Sequence, residues 1–235
     1  MCRIARPRRL LSLLLPFAIL LACGASVDPA MQASIDKQVS ALQQQSTTYP
    51  PPAAEMPPPL SPGQWVRVKS VDSDGRPSFI TSKIVGQAGS ATWVETVLES
   101  YSGRSIVKML VDFGDRTDPE KIDIQGLIVK LKDHAPVDYS QNPMLGIVKG
   151  TYKGIVKNFV IRWHGLPQET RTTFAGTFSD CFKGMSEVSF GPITRSGIAW
   201  YHPSVPINGA VAFHGDRGDT QELVAFGMTG AVSEL

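Results

Sequence analysis

Trp65-Val66-Arg67-Val68-Lys69-Ser70-Val71, closed by Asp72-Ser73-Asp74-Gly75, decides how this chain is read. Val66 and Val68 interleave with Arg67 and Lys69, the period-two pattern of a strand with one apolar face. Asp-Ser-Asp-Gly then supplies turn chemistry. The following text repeats the pattern. Phe79 to Val85 is a second β-rich run, ended by Gly86 and Gly89. Trp93 to Leu98 is a third, with Val94 and Leu98 on one face and Glu95 on the other. Beyond Ser102-Gly103, the run Ser105 to Val111 sets Val107, Met109 and Val111 on one side. Strands joined by such short turns predict an antiparallel meander.

The same alternation returns downstream. Phe159, Ile161 and Trp163 share a face, with Arg162 and His164 on the other. Runs follow at 169–174, 178–190, 197–201 and 210–214, and after a Gly215–Asp219 turn at 222–226. Between the two sets, Asp118-Pro119-Glu120 reads as a helix start, and Ile124, Leu127, Ile128 and Leu131 recur at helical spacing. A helix is therefore expected there, with Gly126 costing it about 1 kcal/mol and Pro136 ending the segment. Met144 to Val156, crossed by Gly146, Gly150 and Gly154, receives no assignment. The expected fold class is mainly β (α+β): a curved antiparallel sheet, half-barrel-like, of about nine strands with one or two covering helices.

Upstream of Trp65 the text differs. Met1 to Arg9 is basic, Leu10 to Ala22 is apolar with only Ser12 polar, and Leu20-Leu21-Ala22-Cys23-Gly24 follows. The apolar run is too short for a spanning helix, which needs about 20 residues. The order resembles a bacterial lipoprotein signal peptide cut before a lipidated cysteine. Residues 1–22 are thus expected to leave, and Cys23 to carry the lipid. The basic count of 23 includes Arg3, Arg6, Arg8 and Arg9, so the remaining 19 basic side chains face 21 acidic ones and the mature charge is −2. That balance gives no support for a nucleic-acid partner. Cys2 departs with the signal, which leaves Cys181 without a disulfide partner. Asp28-Pro29 then opens a helix with Met31, Ile35, Val39 and Leu42 on one stripe. Tyr49-Pro50-Pro51-Pro52 and Pro57-Pro58-Pro59 read as polyproline II. Residues 23–61 are expected to form a spacer, with a solvated helix and an extended linker reaching about 40 Å from the anchor. Residues 62–235 are expected to be the folded domain.

Several short segments carry a family resemblance. Phe174-Ala175-Gly176-Thr177-Phe178, Trp200-Tyr201-His202-Pro203, Val205-Pro206-Ile207-Asn208-Gly209 and Glu222-Leu223-Val224-Ala225-Phe226-Gly227 resemble text in uncharacterised bacterial envelope lipoproteins with a LolA/LolB-like half-barrel. The resemblance covers roughly residues 62–235. It implies a curved sheet closed by helices on its concave side, and its best-understood relatives carry acyl chains. Fold alone does not convey that activity.

Catalytic and metal motifs are not prominent. His134, His164, His202 and His214 form no HExxH pair, and the sequence contains no CxxC, GxSxG or phosphate loop. Asp112, Asp115 and Asp118 fail the calcium-loop spacing. Arg217-Gly218-Asp219 reads as a turn. The expectations are therefore no enzyme, no cofactor and no metal. The favoured reading is a lipid-anchored module in the cell envelope, at the outer membrane facing the periplasm or the cell surface. It would bind an acyl chain or other apolar ligand on a groove formed by Val107, Met109, Phe159, Ile161 and Trp163. The alternative is a structural envelope lipoprotein that contacts other proteins, and a hydrolase ranks third.

Overall fold

The computed structural model describes residues 26–114, 116, 118, 121–141, 146, 163–190 and 193–235. Among them are one helix and twelve strands. Helix α1 spans Pro29–Ser40 and strand β1 spans Thr48–Tyr49. The meander follows as β2 (Trp65–Val71), β3 (Pro77–Ala88), β4 (Ala91–Ser100), β5 (Gly103–Asp112), β6 (Asp123–Lys130) and β7 (Val137–Asp138). The second half holds β8 (Gln168–Thr173), β9 (Gly176–Phe190), β10 (Ile193–Tyr201), β11 (Ala210–Gly215) and β12 (Thr220–Gly227).

These strands form one curved, open sheet in the order β1-β9-β10-β11-β12-β2-β3-β4-β5-β6-β7, with β8 paired to β9 off that path. The chain order explains the layout. β2 to β7 are laid down side by side in chain order, with two-residue turns between β3, β4 and β5, and β9 to β12 follow one another in the same way. The halves join where β12 pairs with β2, Thr220 opposite Val71 and Gly227 opposite Trp65. The mainly β, curved-sheet expectation holds. The count of about nine is exceeded by the two-residue strands β1 and β7, which no alternation could signal, and by β6.

The helix expected over Ile124 to Leu131 is instead β6, antiparallel to β5. A register shift beside Leu110 and Val111 resets the parity of the strand. Ile124 and Leu127 therefore both turn inward, three residues apart, and imitate helical spacing. Gly126 belongs to the strand for a packing reason. A Cβ there would come within 3.1–3.3 Å of Ser140 Oγ, Leu110 and Trp93. Pairing across β5 outweighs the helical pattern.

The spacer expected over 23–61 is corrected as well. Asp28 caps α1, its carboxylate accepting from the Ala30 and Met31 amides at 2.9 and 3.3 Å, and Pro29 sits in the first turn. The stripe turns to the sheet rather than to solvent: Ile35 is fully buried over β3 and β4. Arg67 binds Gln38 at 2.6 Å and Glu99 at 2.8 Å, tying the helix to β2 and β4. The proline text is also held against the domain. Tyr49 stacks on Phe178 with ring centroids 4.3 Å apart, β1 pairs with β9, and Pro57 is buried. From residue 28 onward the segment belongs to the folded body and holds nothing 40 Å away.

His202 fastens one point of that contact. It is 1% exposed, its Nδ1 accepts the Ser204 amide at 3.2 Å, and its Nε2 lies 3.0 Å from the Pro50 carbonyl. Nε2 must then carry the proton. Burial pushes this imidazole below its ordinary value, against the pull of the Pro50 carbonyl and Asp180. The folded state thus favours neutral His202. Its contribution is complete above about pH 6.5 and is lost as the pH falls from there through the depressed folded-state value. His214, also lowered by burial, adds in the same direction. His202→Gln is expected to flatten part of the acid-side loss of stability in urea titrations between pH 7 and 5. An unchanged slope would assign that loss to other groups.

Candidate functional site

The two faces of the sheet are used differently. Trp65, Arg67, Glu95 and Glu99 lie on the face that carries α1 and the chain end. Val66, Val68, Val94, Thr96, Val107 and Met109 lie on the concave face. Along that face burial falls in steps of two. Val94 is 0% exposed, Thr96 is half-buried and Leu98 is 38% exposed. Met109, Val107 and Ser105 on β5, Ile84, Ser82 and Ile80 on β3, and Val66 and Val68 on β2 follow the same direction. The packed core therefore fills one end of the concavity and leaves the other end open.

That open end is a cavity of about 290 Å³. Val68, Ile80, Leu98, Val107 and Met109 form one wall, and Ala199, Tyr201, Val211 and Phe213 the other. Polar groups are few and neutral: Ser82, Thr96, Ser105, Ser186, Asn208 and Gln221. Among the described residues the lining contains no Asp, Glu, Lys, Arg or His. Burial also holds the Tyr201 phenol above its ordinary value, so it remains uncharged on the wall. Ligand pockets usually measure about 300–1,000 Å³ and combine apolar walls with a few polar groups, and this cavity lies just below the small end of that range.

The sequence-derived groove divides in three. Val107 and Met109 line the cavity. Trp163 does not. It is buried in a separate cluster, 5.7 Å from Phe182 and 5.5 Å from Tyr201 by ring centroids, and is one side chain removed from the cavity through Tyr201. Phe159 and Ile161 lie outside the described residues, as does Cys23. Sequence reasoning missed the second wall. Ala199, Ala210 and Val211 belong to β10 and β11, whose place opposite β4 and β5 depends on the β12–β2 junction, 150 residues from one strand to the other.

Other candidate chemistry is dispersed. His202 and His214 do not meet: His202 faces Phe178, and His214 meets the Trp200 ring edge-on at 4.9 Å. No cluster that could hold a metal occurs among the described residues. Cys181 is buried, its thiol donates to the Phe178 carbonyl at 3.6 Å, and burial pushes it up to about 12. It is a core side chain rather than a reactive thiolate. Among the described residues no helix is long and apolar enough to cross a membrane.

Neither a protein-family model nor a curated protein matches the chain. Three solved structures are similar to it. A provisionally assigned lipoprotein from Parabacteroides distasonis is 17% identical, with 73% of this chain and 97% of that one covered and a TM-score of 0.34. An exported protein with a YmcC-like fold from Bacteroides fragilis is 12% identical, at 74% and 100% coverage and a TM-score of 0.35. The hypothetical protein CT021 from Chlamydia trachomatis is 11% identical, at 74% and 94% coverage and a TM-score of 0.36. None of these carries the LolA/LolB-like name that the local text resembles, and likenesses of this depth decide neither ligand nor role.

Proposed function

We propose that this protein is a lipid-anchored envelope lipoprotein whose curved sheet binds an apolar ligand, an acyl chain or a molecule of similar character, in the cavity on its concave face. The carrying observation is the cavity lining, which is apolar on both walls and, among the described residues, free of charged side chains. A charged or strongly polar ligand would lose its water there without a compensating partner. An acyl chain loses nothing of that kind and gains about 0.8 kcal/mol per CH₂ buried. Ten methylenes would contribute roughly 8 kcal/mol before ordering and association costs, so low-micromolar affinity is the natural scale. The anchor rests on the Leu-Leu-Ala-Cys order of residues 20–23.

Titration of the delipidated protein with a fluorescent fatty acid is expected to give saturable binding at low micromolar concentration. Thr96→Trp places an indole in the middle of the cavity and is expected to weaken binding at least tenfold, while the urea midpoint stays within the range of a modest overpacking cost, about 1–3 kcal/mol. A folded protein that binds nothing would remove the ligand. Mass spectrometry of the native N-terminus tests the anchor. An unmodified Cys23, or residues 1–22 still attached, would remove it.

A further inference from the structure

The ends of the strands give the cavity a direction. One line of paired residues crosses six strands without a bulge: Met185, Ile198, His214, Thr220, Val71 and Pro77. Phe79 pairs with Glu99 and Ser100 with Gly103, so the β4–β5 turn at Tyr101 closes on the same margin. β9 and β10 run past it for five more pairs, to Phe190 and Ile193, about 17 Å at 3.4 Å per residue.

Three observations meet on this margin. The first is the tether. The Asp28 amide donates to the Tyr101 carbonyl at 2.7 Å, and its carboxylate pairs with Lys132, so the chain is pinned here. Cys23 lies five residues earlier, a reach of at most ~18 Å. The second is the mouth. Exposure along β2, β3, β4 and β5 rises toward this margin, ending at Leu98, Ile80 and Ser105. The third is exposed apolar surface. Met185 and Ile198, cross-strand partners at the margin, are 77% and 38% exposed.

We propose that the anchored protein stands with this margin facing the bilayer, the ends of β9 and β10 that run past it reaching into the interface, and exchanges the acyl chain of a resident membrane lipid directly between bilayer and cavity. The proposal rests on the Cys23 anchor and on the apolar-ligand reading, and narrows the ligand from any apolar molecule to a lipid of the same membrane. An 18 Å tether fixed beside the mouth leaves the cavity close to the membrane surface. Met185 and Ile198 then lie where apolar side chains are stabilised by contact with the bilayer interface. A lipid leaving the bilayer by this route need not carry its chain through water, whose cost grows with each methylene.

The test uses the full, lipidated protein on vesicles of phosphatidylethanolamine and phosphatidylglycerol. Met185→Cys and, at the opposite margin, Gln87→Cys each receive a polarity-sensitive fluorophore; Cys181 is buried. With a nitroxide lipid in the vesicles, the label at 185 is expected to be quenched several-fold more than that at 87. Inserting about 20 Gly/Ser residues between Val27 and Asp28 gives the tether an average span of roughly 25 Å. The insertion is expected to erase the difference and to slow uptake of a pyrene-labelled phospholipid at least tenfold, with free fatty acid binding unchanged. Equal quenching at both positions, or uptake indifferent to the insertion, would overturn the proposal. Protein that does not float with vesicles would overturn the anchor as well. Floating protein that takes up no free fatty acid would overturn the cavity reading.

Discussion

A chain that starts at Ser61 is expected to lose about 5 kcal/mol or more relative to the intact domain, enough to abolish its cooperative unfolding or shift its urea midpoint far down. The deletion exposes the surface under Ile35, which is fully buried against β3 and β4. Removing a side chain of that size from a core costs about 2–5 kcal/mol. It also removes Tyr49 from its stack on Phe178, along with the Thr47 carbonyl that accepts the Thr177 amide at 2.9 Å. Aromatic pairs contribute about 0.5–1.5 kcal/mol beyond their area, and an amide left buried without a partner costs about 1–3 kcal/mol. Two further groups lose partners: His202 loses Pro50, and Arg67 loses Gln38. Most domains possess only about 5–15 kcal/mol in total. Ile35→Ala alone is expected to cost about 3 kcal/mol. A shortened chain with the midpoint of the full one would restore the picture of a detached spacer.

The composition of residues 28–60 is that of a linker, and the stripe of α1 is narrow. What makes the segment part of the body is a set of contacts with residues between 67 and 226, made one at a time by Ile35, Gln38, Thr47, Tyr49 and Pro50. Each partner lies on a strand placed only by the finished sheet. The strands themselves were legible, because alternation is a local property and the turns between β2, β3, β4 and β5 are short. β6 was misread where a bulge changed parity, since a bulge is a feature of two strands together and leaves no mark in one. The cavity was half legible. Val107 and Met109 announce an apolar face, but that this face stays open at Leu98 follows from curvature and from the small Ala199 and Ala210 across it. Trp163, the largest side chain in the expected groove, was drawn instead to Phe182 and Tyr201, where its area is fully used.

Lys83→Met is expected to destabilise the protein by about 3 kcal/mol or more, and to do so more than Glu95→Met. Alternation places Glu95 on the face away from Val94, where solvent would be its ordinary surrounding. Instead the chain end crosses that face and covers it, and Glu95 is 0% exposed. Its carboxylate accepts from Ser233 Oγ at 2.7 Å and from the Glu234 amide at 3.1 and 3.2 Å, and Lys83, its direct cross-strand partner, is 3.3 Å away. Removing the lysine leaves a buried anion with two neutral donors and no cation, the situation that costs about 3–5 kcal/mol. Removing the glutamate is milder. Lys83 still reaches the partly exposed Glu234 carboxylate and the Val232 carbonyl, and its own side chain retains 11% exposure. The double variant Lys83→Met/Glu95→Met replaces both charges with apolar side chains of similar length. It is expected to recover most of the loss, because desolvating an ion pair offsets much of its attraction. Urea midpoints for the two single variants and the double give the coupling directly. Equal, small effects for both single variants would mean that water reaches Glu95 and that the chain end is a loose cover. A large cost for Lys83→Met, recovered in the double variant, would identify the chain end as the layer that seals the outer face of β3, β4 and β5, so that the concave face is the one left open to a ligand.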